Sequence, residues 1–521
     1  MKKFTYALLS TAACVGIASG AGAETLRFAV QTETPAIDPH WSTNLTAIEA
    51  GRHVFDHLIL HDKDMKLTPG LAQSWRIVDD KTWEFKLRPN VKWHDGSPFT
   101  ADDVLFTMER AYSITSPNSF KQYLADKKPT KIDDLTVQIK TDNPNPLVDT
   151  DVASFAIVSK KHATGATQAD FVSGKATVGT GPYKFVSFKS GDSLNLAANP
   201  GYWGGKPVWD EVIIKPIGSA PTRLAALKAG DVDVIDKVPT TDLADLKKDS
   251  RFVVSEGPGN RPFYLWMDSR KDITPDVTDN DGKPIIPNPL RDWRVRAALS
   301  KAINRAAIVE RVFEGSATPT MQLLPDGFYG FNADLKVAGE YDPAAAKKLL
   351  ADAGFPNGFK TVLHSTSARY VNDSKVVEAV AQMWTQAGIK TEVKTYPAQV
   401  FFEKTGKMEF STALRTYTVA TGEPSIQLRA IVHTNPLPGT NFCCDPSGYS
   451  NFRTDEIIET AMKTMDGAKR EQLWKDVIGT AVKDYGIAGI YFEYYSWASK
   501  AGLKYNVRLD NLNLAQDVVK K

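Results

Sequence analysis

Between residues 83 and 111 the spacing of apolar side chains changes from every second position to every third and fourth. That switch restricts the chain to folds that mix strands with helices. Trp83, Phe85 and Leu87 alternate with Glu84, Lys86 and Arg88, the pattern of a strand buried on one face. The turn Trp93-His94-Asp95-Gly96-Ser97-Pro98 follows. Thr100 and Asp103 then stand three apart, as the members of a capping box do, and open a helix expected to reach about Ala111. The same exchange recurs downstream. Asp342 caps a helix that has Pro343 at its first position and Gly354 just past its end. Val376, Val377, Val380, Ala381 and Trp384 repeat at helical spacing up to Gly388, and a short strand is expected from Ile389 to Val393. Pro221 opens a short helix that Gly230 closes, leaving Val232 and Val234 as alternate inward positions of a strand. The chain therefore reads as α/β, without internal repeats or long low-complexity linkers. Asp272 to Pro289, rich in Asp, Asn and Pro, reads as an exposed loop.

The first residues read as a secretory signal. Lys2 and Lys3 give a positive start, Phe4 to Gly20 carries no charge, and Ala21-Gly22-Ala23 has the small-x-small form of a cleavage site. The mature chain is then expected to begin at Glu24, in the periplasm. The rival reading is a lipid anchor on Cys14, for which Thr11 is a poor stand-in for the usual aliphatic residue. Removing 23 of 521 residues leaves enough chain for two or three domains, and no later apolar run is long enough to span a bilayer. Lys2 and Lys3 leave with the signal, which brings the 63 basic residues level with the 61 acidic ones. A balanced chain has no electrostatic footprint for nucleic acid or for anionic lipid. Of the three cysteines, Cys443 and Cys444 remain. Being adjacent, they cannot supply spaced zinc ligands; they are either a vicinal disulfide or two thiols packed under a loop.

Several segments together resemble one family. They are Leu71-Ala72-Gln73-Ser74-Trp75, the run from Leu87 to Val104 that includes Trp93-His94-Asp95-Gly96, and Gly179-Thr180-Gly181-Pro182-Tyr183. Asn199-Pro200-Gly201-Tyr202-Trp203, the run Arg223 to Asp233, the run Arg294 to Ile303 and Tyr449-Ser450-Asn451 complete the set. In this order they resemble the family 5 extracellular solute-binding proteins of ABC importers, which include dipeptide-, oligopeptide- and nickel-binding proteins. The resemblance implies a two-lobed periplasmic binding fold (a Venus flytrap) with an extra inserted domain. It places lobe I at Glu24 to Phe55, Gly179 to Lys271 and Phe492 to Lys521, the inserted domain at Asp56 to Val178, and lobe III at Asp272 to Tyr491. It implies a monomer without cofactor, partnered by a small-molecule or peptide ligand and by an inner-membrane ABC permease with cytoplasmic ATPase subunits. Most of the motif residues are expected to build the frame.

The resemblance also points to ligand contacts. Arg369, in Arg369-Tyr370-Val371-Asn372-Asp373, matches the arginine with which dipeptide-binding relatives hold the ligand carboxylate; a guanidinium offers a bidentate fork. The alternative is a structural arginine between the lobes. In Tyr417-Thr418-Val419-Ala420-Thr421-Gly422-Glu423-Pro424, relatives carry an Asp where this chain has Ala420, and that Asp pairs with a peptide's amino terminus. Tyr417 and Thr418 are expected to line the cleft, Glu423 to be structural, and Arg415 to add a positive group nearby. Trp41, Ser42 and Thr43 match a segment that lines the cleft in relatives, Trp41 as an apolar wall and the hydroxyls as hydrogen-bonding groups. The competing role for Thr43 or Asn44 is to cap the helix from Leu45.

His53, His57 and His61 are spaced four apart, but Leu58-Ile59-Leu60 reads as the start of a strand, so a structural role is favoured over a metal site. Asp279-Asn280-Asp281-Gly282 lacks the first and last acids of a calcium loop, which are Val277 and Asn288 here. No hydrolase elbow, phosphate loop or metalloprotease motif occurs, so no catalytic residue is assigned. Two other classes stay open: a periplasmic chaperone or chemosensory receptor on the same fold, and a hydrolase. The ligand class stays open too, among peptides, opines, glutathione-like conjugates, oligosaccharides and metal chelates.

Overall fold

The computed structural model describes residues 23–116, 118–337, 340–367, 369–419, 421–434 and 447–521. The signal segment up to Gly22, Ala420 and the Cys443–Cys444 pair lie outside the described residues.

Strands and helices alternate as the spacing predicts. Thr82–Leu87 is a strand with Trp83, Phe85 and Leu87 buried. Thr100 donates its N–H to Asp103 Oδ2 (3.1 Å), closing the box at the start of the helix Ala101–Ser113. Asp342 accepts from the N–H of Ala345 (2.8 Å) at the start of Pro343–Asp352. Gly230 takes a left-handed φ of 87° and ends Ala220–Ala229, and Val232 and Val234 beyond it are buried. The strand expected from Ile389 runs over Lys390–Tyr396. One expectation is revised. The stretch from Asp272 to Pro289 is partly tied down: Thr274 Oγ1 donates to Asp268 Oδ2 (2.6 Å), Asn288 Nδ2 donates to the Asp268 carbonyl (2.7 Å), and Val277 enters a core.

The largest sheet among the described residues has eleven strands. In spatial order they run Lys390–Tyr396, Lys360–Thr366, Thr412–Thr416, Phe252–Met267, Ala488–Lys500, Val234–Asp236, Thr25–Val30, Glu211–Pro216, Ser193–Ala198 and Tyr183–Lys189. Ala317–Pro319 pairs beside Ala488–Lys500. Two long antiparallel strands, Phe252–Met267 and Ala488–Lys500, join the two ends of this order. Their register runs Phe252↔Lys500 to Pro258↔Tyr494, shifts between Pro258 and Pro262, and resumes at Pro262↔Phe492. Before the shift, Phe252 and Val254 pack with Leu224, Leu227 and Leu243. After it, Phe263, Leu265 and Met267 pack with Val295, Leu299, Val377 and Trp384. A four-stranded antiparallel sheet, Ala72–Asp79, Thr82–Leu87, Thr136–Lys140 and Lys128–Asp133, has its own core with the helix Ala101–Ser113.

The two termini of the described chain close on each other. Asn513 donates its N–H and its Nδ2 to Glu49 Oε2, both at 3.0 Å, and Ala515 donates its N–H to His53 Nε2 (3.0 Å).

Candidate functional site

The helix Leu45–Val54 turns Ala47, Ala50 and Val54 into the core. Leu45, Ile48 and Arg52, three and four apart, therefore share another face. That face opens on a cavity of about 1180 Å³, whose walls include Thr43, Phe120, Tyr123, Thr418 and Tyr495. A second cavity, of about 990 Å³, meets the first at Arg261, Arg369 and Tyr495 and continues past Pro239, Thr240 and Phe313. A third, of about 670 Å³, shares Tyr123 and Thr418 with the first and adds Tyr417. The walls thus come from segments far apart in sequence, and the three adjoining cavities are together termed the cleft.

Arginine dominates the charge of this cleft. Arg261 lies in the register shift of the long strands, where its Nη1 meets Glu493 Oε1 at 2.8 Å and its Nε donates to Thr418 Oγ1 at 3.1 Å. Arg369 stands exposed on the loop between Lys360–Thr366 and Asp373–Gln386. Asp373 Oδ2 pins that loop, accepting from Thr366 Oγ1 (2.7 Å) and from the N–H groups of Arg369 and Tyr370 (3.2 Å each). The Arg369 guanidinium donates to Tyr370 Oη (3.0 Å) and lies 5.0 Å from the centre of the Phe402 ring. Such contacts hold a cation in place without cancelling its charge. The acid of the first cavity, Asp510, is engaged by Arg508 (2.7 Å).

Of the residues expected to touch ligand, the cleft brings together Arg369, Thr43, Thr418 and Tyr417. Trp41 and Ser42 line none of these three cavities. Trp41 is exposed, and the buried Ser42 Oγ accepts from the N–H of Asn44 (3.1 Å). Asn44 occupies the N-cap position of the helix, but its side chain makes no capping bond. Glu423 is buried and accepts from Trp474 Nε1 (2.7 Å) and the Ser425 N–H (2.7 Å). Arg415 stands 5.9 Å from the Phe402 ring centre. Sequence reasoning missed Arg52 and Arg261. Arg52 was detectable as the cation following Leu45 and Ile48 on one helical face.

The histidines do not share a helical face, because the helix ends at Val54. His53 Nδ1 bonds the Glu49 carbonyl (2.8 Å) inside the core. His57 Nδ1 bonds the Ala153 carbonyl (2.7 Å), His61 Nε2 bonds the Thr421 carbonyl (3.0 Å), and both rings border the first cavity. Burial, reinforced by the charge of Arg52, holds His57 well below the usual imidazole range and His61 down to about 4. Both rings are therefore uncharged near neutrality. Among the described residues no group of three His, Cys, Asp or Glu side chains is placed to hold a metal ion.

The motif residues hold the frame together in separate hydrogen-bonded groups. The buried Asp56 accepts from Thr180 Oγ1 (2.9 Å), Trp203 Nε1 (2.7 Å) and Tyr202 Oη (3.1 Å). His94 receives the Gly179 N–H on Nδ1 (3.2 Å), while its Nε2 bonds the Gly181 carbonyl (3.0 Å). Tyr449 Oη and Asn451 Nδ2 both donate to Asp484 Oδ2 (3.1 and 2.6 Å). The family model for the middle region of bacterial extracellular solute-binding proteins, family 5, matches residues 66–438. The chain belongs to this family.

Relatives of this family 5 protein are named as binding proteins rather than enzymes. The glutathione-binding protein of Pectobacterium atrosepticum is 32% identical over 86% of this chain and 84% of its own length. The dipeptide-binding protein of Escherichia coli is 26% identical over 88% of this chain and 87% of its own. Among solved structures, HbpA2 from Haemophilus parasuis superposes with a TM-score of 0.80 at 26% identity, covering 95% of this chain and 100% of the other. The fold is thus the mixed α/β periplasmic binding fold. As a family 5 member the protein is a solute-binding component of an ABC importer.

Proposed function

We propose that the protein works in the periplasm after cleavage at Ala23, and that it captures a carboxylate-bearing, peptide-like solute for an inner-membrane ABC permease with cytoplasmic ATPase subunits. The observation that carries the ligand class is the junction of two cavities at Arg369, a guanidinium held by rings rather than by an acid. The absence of an acidic side chain at position 420, which is Ala420, adds to it. A free dipeptide would bury its ammonium group without a charged partner, at a cost of several kcal/mol. Peptides blocked at the amino end, and opine-like or glutathione-like conjugates whose amino group sits beside a carboxylate of its own, avoid that cost; the name of the glutathione-binding relative favours the last of these as a probe.

In this reading the long strands Phe252–Met267 and Ala488–Lys500 are the crossings between lobes. Ligand bridges the lobes and shifts the population toward the closed form that docks on the permease.

A thermal-shift screen of the mature protein against modified peptides, opines, glutathione conjugates and unmodified dipeptides tests the ligand class. A ligand at 100 times its Kd adds about 2.7 kcal/mol. If the Arg369–carboxylate pair is buried when ligand is bound, Arg369→Ala should weaken the best ligand by about 2–5 kcal/mol. Tight binding of unmodified dipeptides, or a neutral Arg369→Ala, overturns the assignment. Mass spectrometry of the exported protein should find Glu24 at the amino terminus; an acylated Cys14 refutes the soluble form.

A further inference from the structure

We propose that Arg52 is a second anion anchor in the cleft, so that the solute carries two acidic groups, one for Arg369 and one for Arg52. This rests on the reading of the cleft as a site for carboxylate-bearing solutes.

Of the buried arginines, Arg110 and Arg508 pair with Asp38 and Asp510, and three others bind backbone carbonyls. Arg223 donates to the carbonyls of Ile217 (2.6 Å), Asp236 (3.1 Å) and Lys237 (3.1 Å). Arg296 holds the carbonyls of Leu290, Asp484 and Tyr485 at 3.0–3.1 Å. Arg305 holds those of Gly489 (2.7 Å), Ser300 and Thr320 (3.2 Å each). These guanidiniums tie strands and loops together, and their N–H groups are taken. Arg52 is different. Among the described residues its guanidinium makes no hydrogen bond and no ion pair, although it lies half-buried at the cavity wall. A guanidinium with five donors and no acceptor is costly away from bulk water.

The neighbouring acids do not remove that cost, because their oxygens are already engaged. Arg508 grips both oxygens of Asp510 (2.8 and 2.7 Å), and the Leu512 N–H adds a third bond (3.2 Å). Asp56 is filled by Thr180, Tyr202 and Trp203. Burial and the charge of Arg508 both disfavour the cationic form of Arg52, whereas Asp510 and Asp56 support it only at longer range. His57 and His61 are neutral and add no positive charge; with Nδ1–H of His57 committed to Ala153, its Nε2 is an acceptor. An anion at Arg52 would therefore receive a fork of donors that nothing else among the described residues uses.

The space between the two arginines fixes the rest of the solute. Both border the same cavity, and Ile48, Met65, Phe120 and Tyr123 lie in its wall. Arg261, the third arginine there, is neutralised by Glu493. The complementary solute is acidic at both ends with an uncharged middle.

Succinyl-dialanine and acetyl-dialanine, which differ by one carboxylate, are suitable probes for the mature protein in isothermal titration. The wild type should bind the succinyl peptide at least about tenfold tighter. Arg52→Gln should abolish that difference. Equal binding of the two peptides by wild type, or an unchanged preference in Arg52→Gln, overturns the second anchor. Loss of both peptides in Arg369→Gln concerns the first carboxylate site alone. Two readouts need no peptide. The melting temperature of unliganded Arg52→Gln should stay level or rise, whereas Arg223→Gln should fall. Sulfate should stabilise wild type more than Arg52→Gln. A melting temperature for Arg52→Gln that falls as Arg223→Gln does, or an equal response to sulfate, would mean a structural arginine and sink the proposal.

Discussion

Arg261 and Glu493 face each other where the long antiparallel strands first lose register, between Pro258 and Pro262, with Nη1 2.8 Å from Oε1. Strands that slip against each other leave side chains to fill the gap, and here they fill it with opposite charges. The same arginine borders both main cavities, so the joint between the two ends of the sheet also forms part of the cleft wall.

Removing one partner of this pair strands the other. Glu493 is nearly buried, while Arg261 keeps about a quarter of its side chain exposed, which softens the penalty. Glu493→Gln should lower unfolding stability by about 2 kcal/mol in urea titration. The double variant Arg261→Met with Glu493→Met should recover much of the loss, since neither charge is then left alone. Equal stability of Glu493→Gln and wild type would argue that the pair is solvent-screened.

Asp56→Ala should be among the most damaging single changes, because it leaves one buried and two half-buried donors without an acceptor. Each orphaned group costs about 1–3 kcal/mol. Asp56→Asn keeps one acceptor oxygen and should cost less than Asp56→Ala in the same denaturant series. The reverse order would show that the carboxylate charge, rather than its accepting capacity, is what matters.

Gly179 and Gly181 admit no side chain. A Cβ on Gly179 would stand 1.8 Å from the Val54 carbonyl oxygen, and one on Gly181 would stand 2.7 Å from the same group. Backbone cannot yield as a flexible side chain can, so Gly179→Ala should cost more than about 3 kcal/mol. Circular dichroism melts and soluble yield check this; a variant melting like wild type contradicts the packing.

His61 should stay neutral until about pH 4. In the unfolded chain an imidazole takes its proton near 6.5. Between those values the unfolded state binds more protons, so this contribution to stability falls as pH is lowered from about 6.5 to 4. His40, His53 and His94, each pushed down to about 4 chiefly by burial, act in the same direction. Asp151, raised by burial to about 6, acts oppositely, and its contribution is lost as pH rises through that value. Ring-proton NMR of the folded protein resolves His61 directly; a midpoint near 6.5 would refute the burial argument.

Local features were legible in the sequence because neighbours in the chain enforce them. The Thr100–Asp103 box, the Asp342 cap and the turn at Gly230 each need only a few consecutive residues. Glu84 read as a solvent-facing strand position but is buried, because Arg76 and Gln138 on the flanking strands meet its carboxylate (2.9 and 3.0 Å). Asp56 gave no signal, since its partners Thr180 and Trp203 lie 124 and 147 positions away. The cleft divides in the same way. Arg369 was reachable by resemblance, because its loop has a recognisable pattern. Arg261 was not, because its role depends on a register shift between strands more than two hundred residues apart.

The meeting of Glu49 and His53 with Asn513 and Ala515 bears on how the cell would sort finished chains from faulty ones. A ribosome that stops before Asn513 releases a polypeptide in which a buried carboxyl and a buried imidazole wait for donors that never arrive. Such a product should seal its first-made core less tightly, however complete the rest of it is. It would remain open to proteases, so truncated messages yield fragments for degradation rather than decoy receptors that compete for solute.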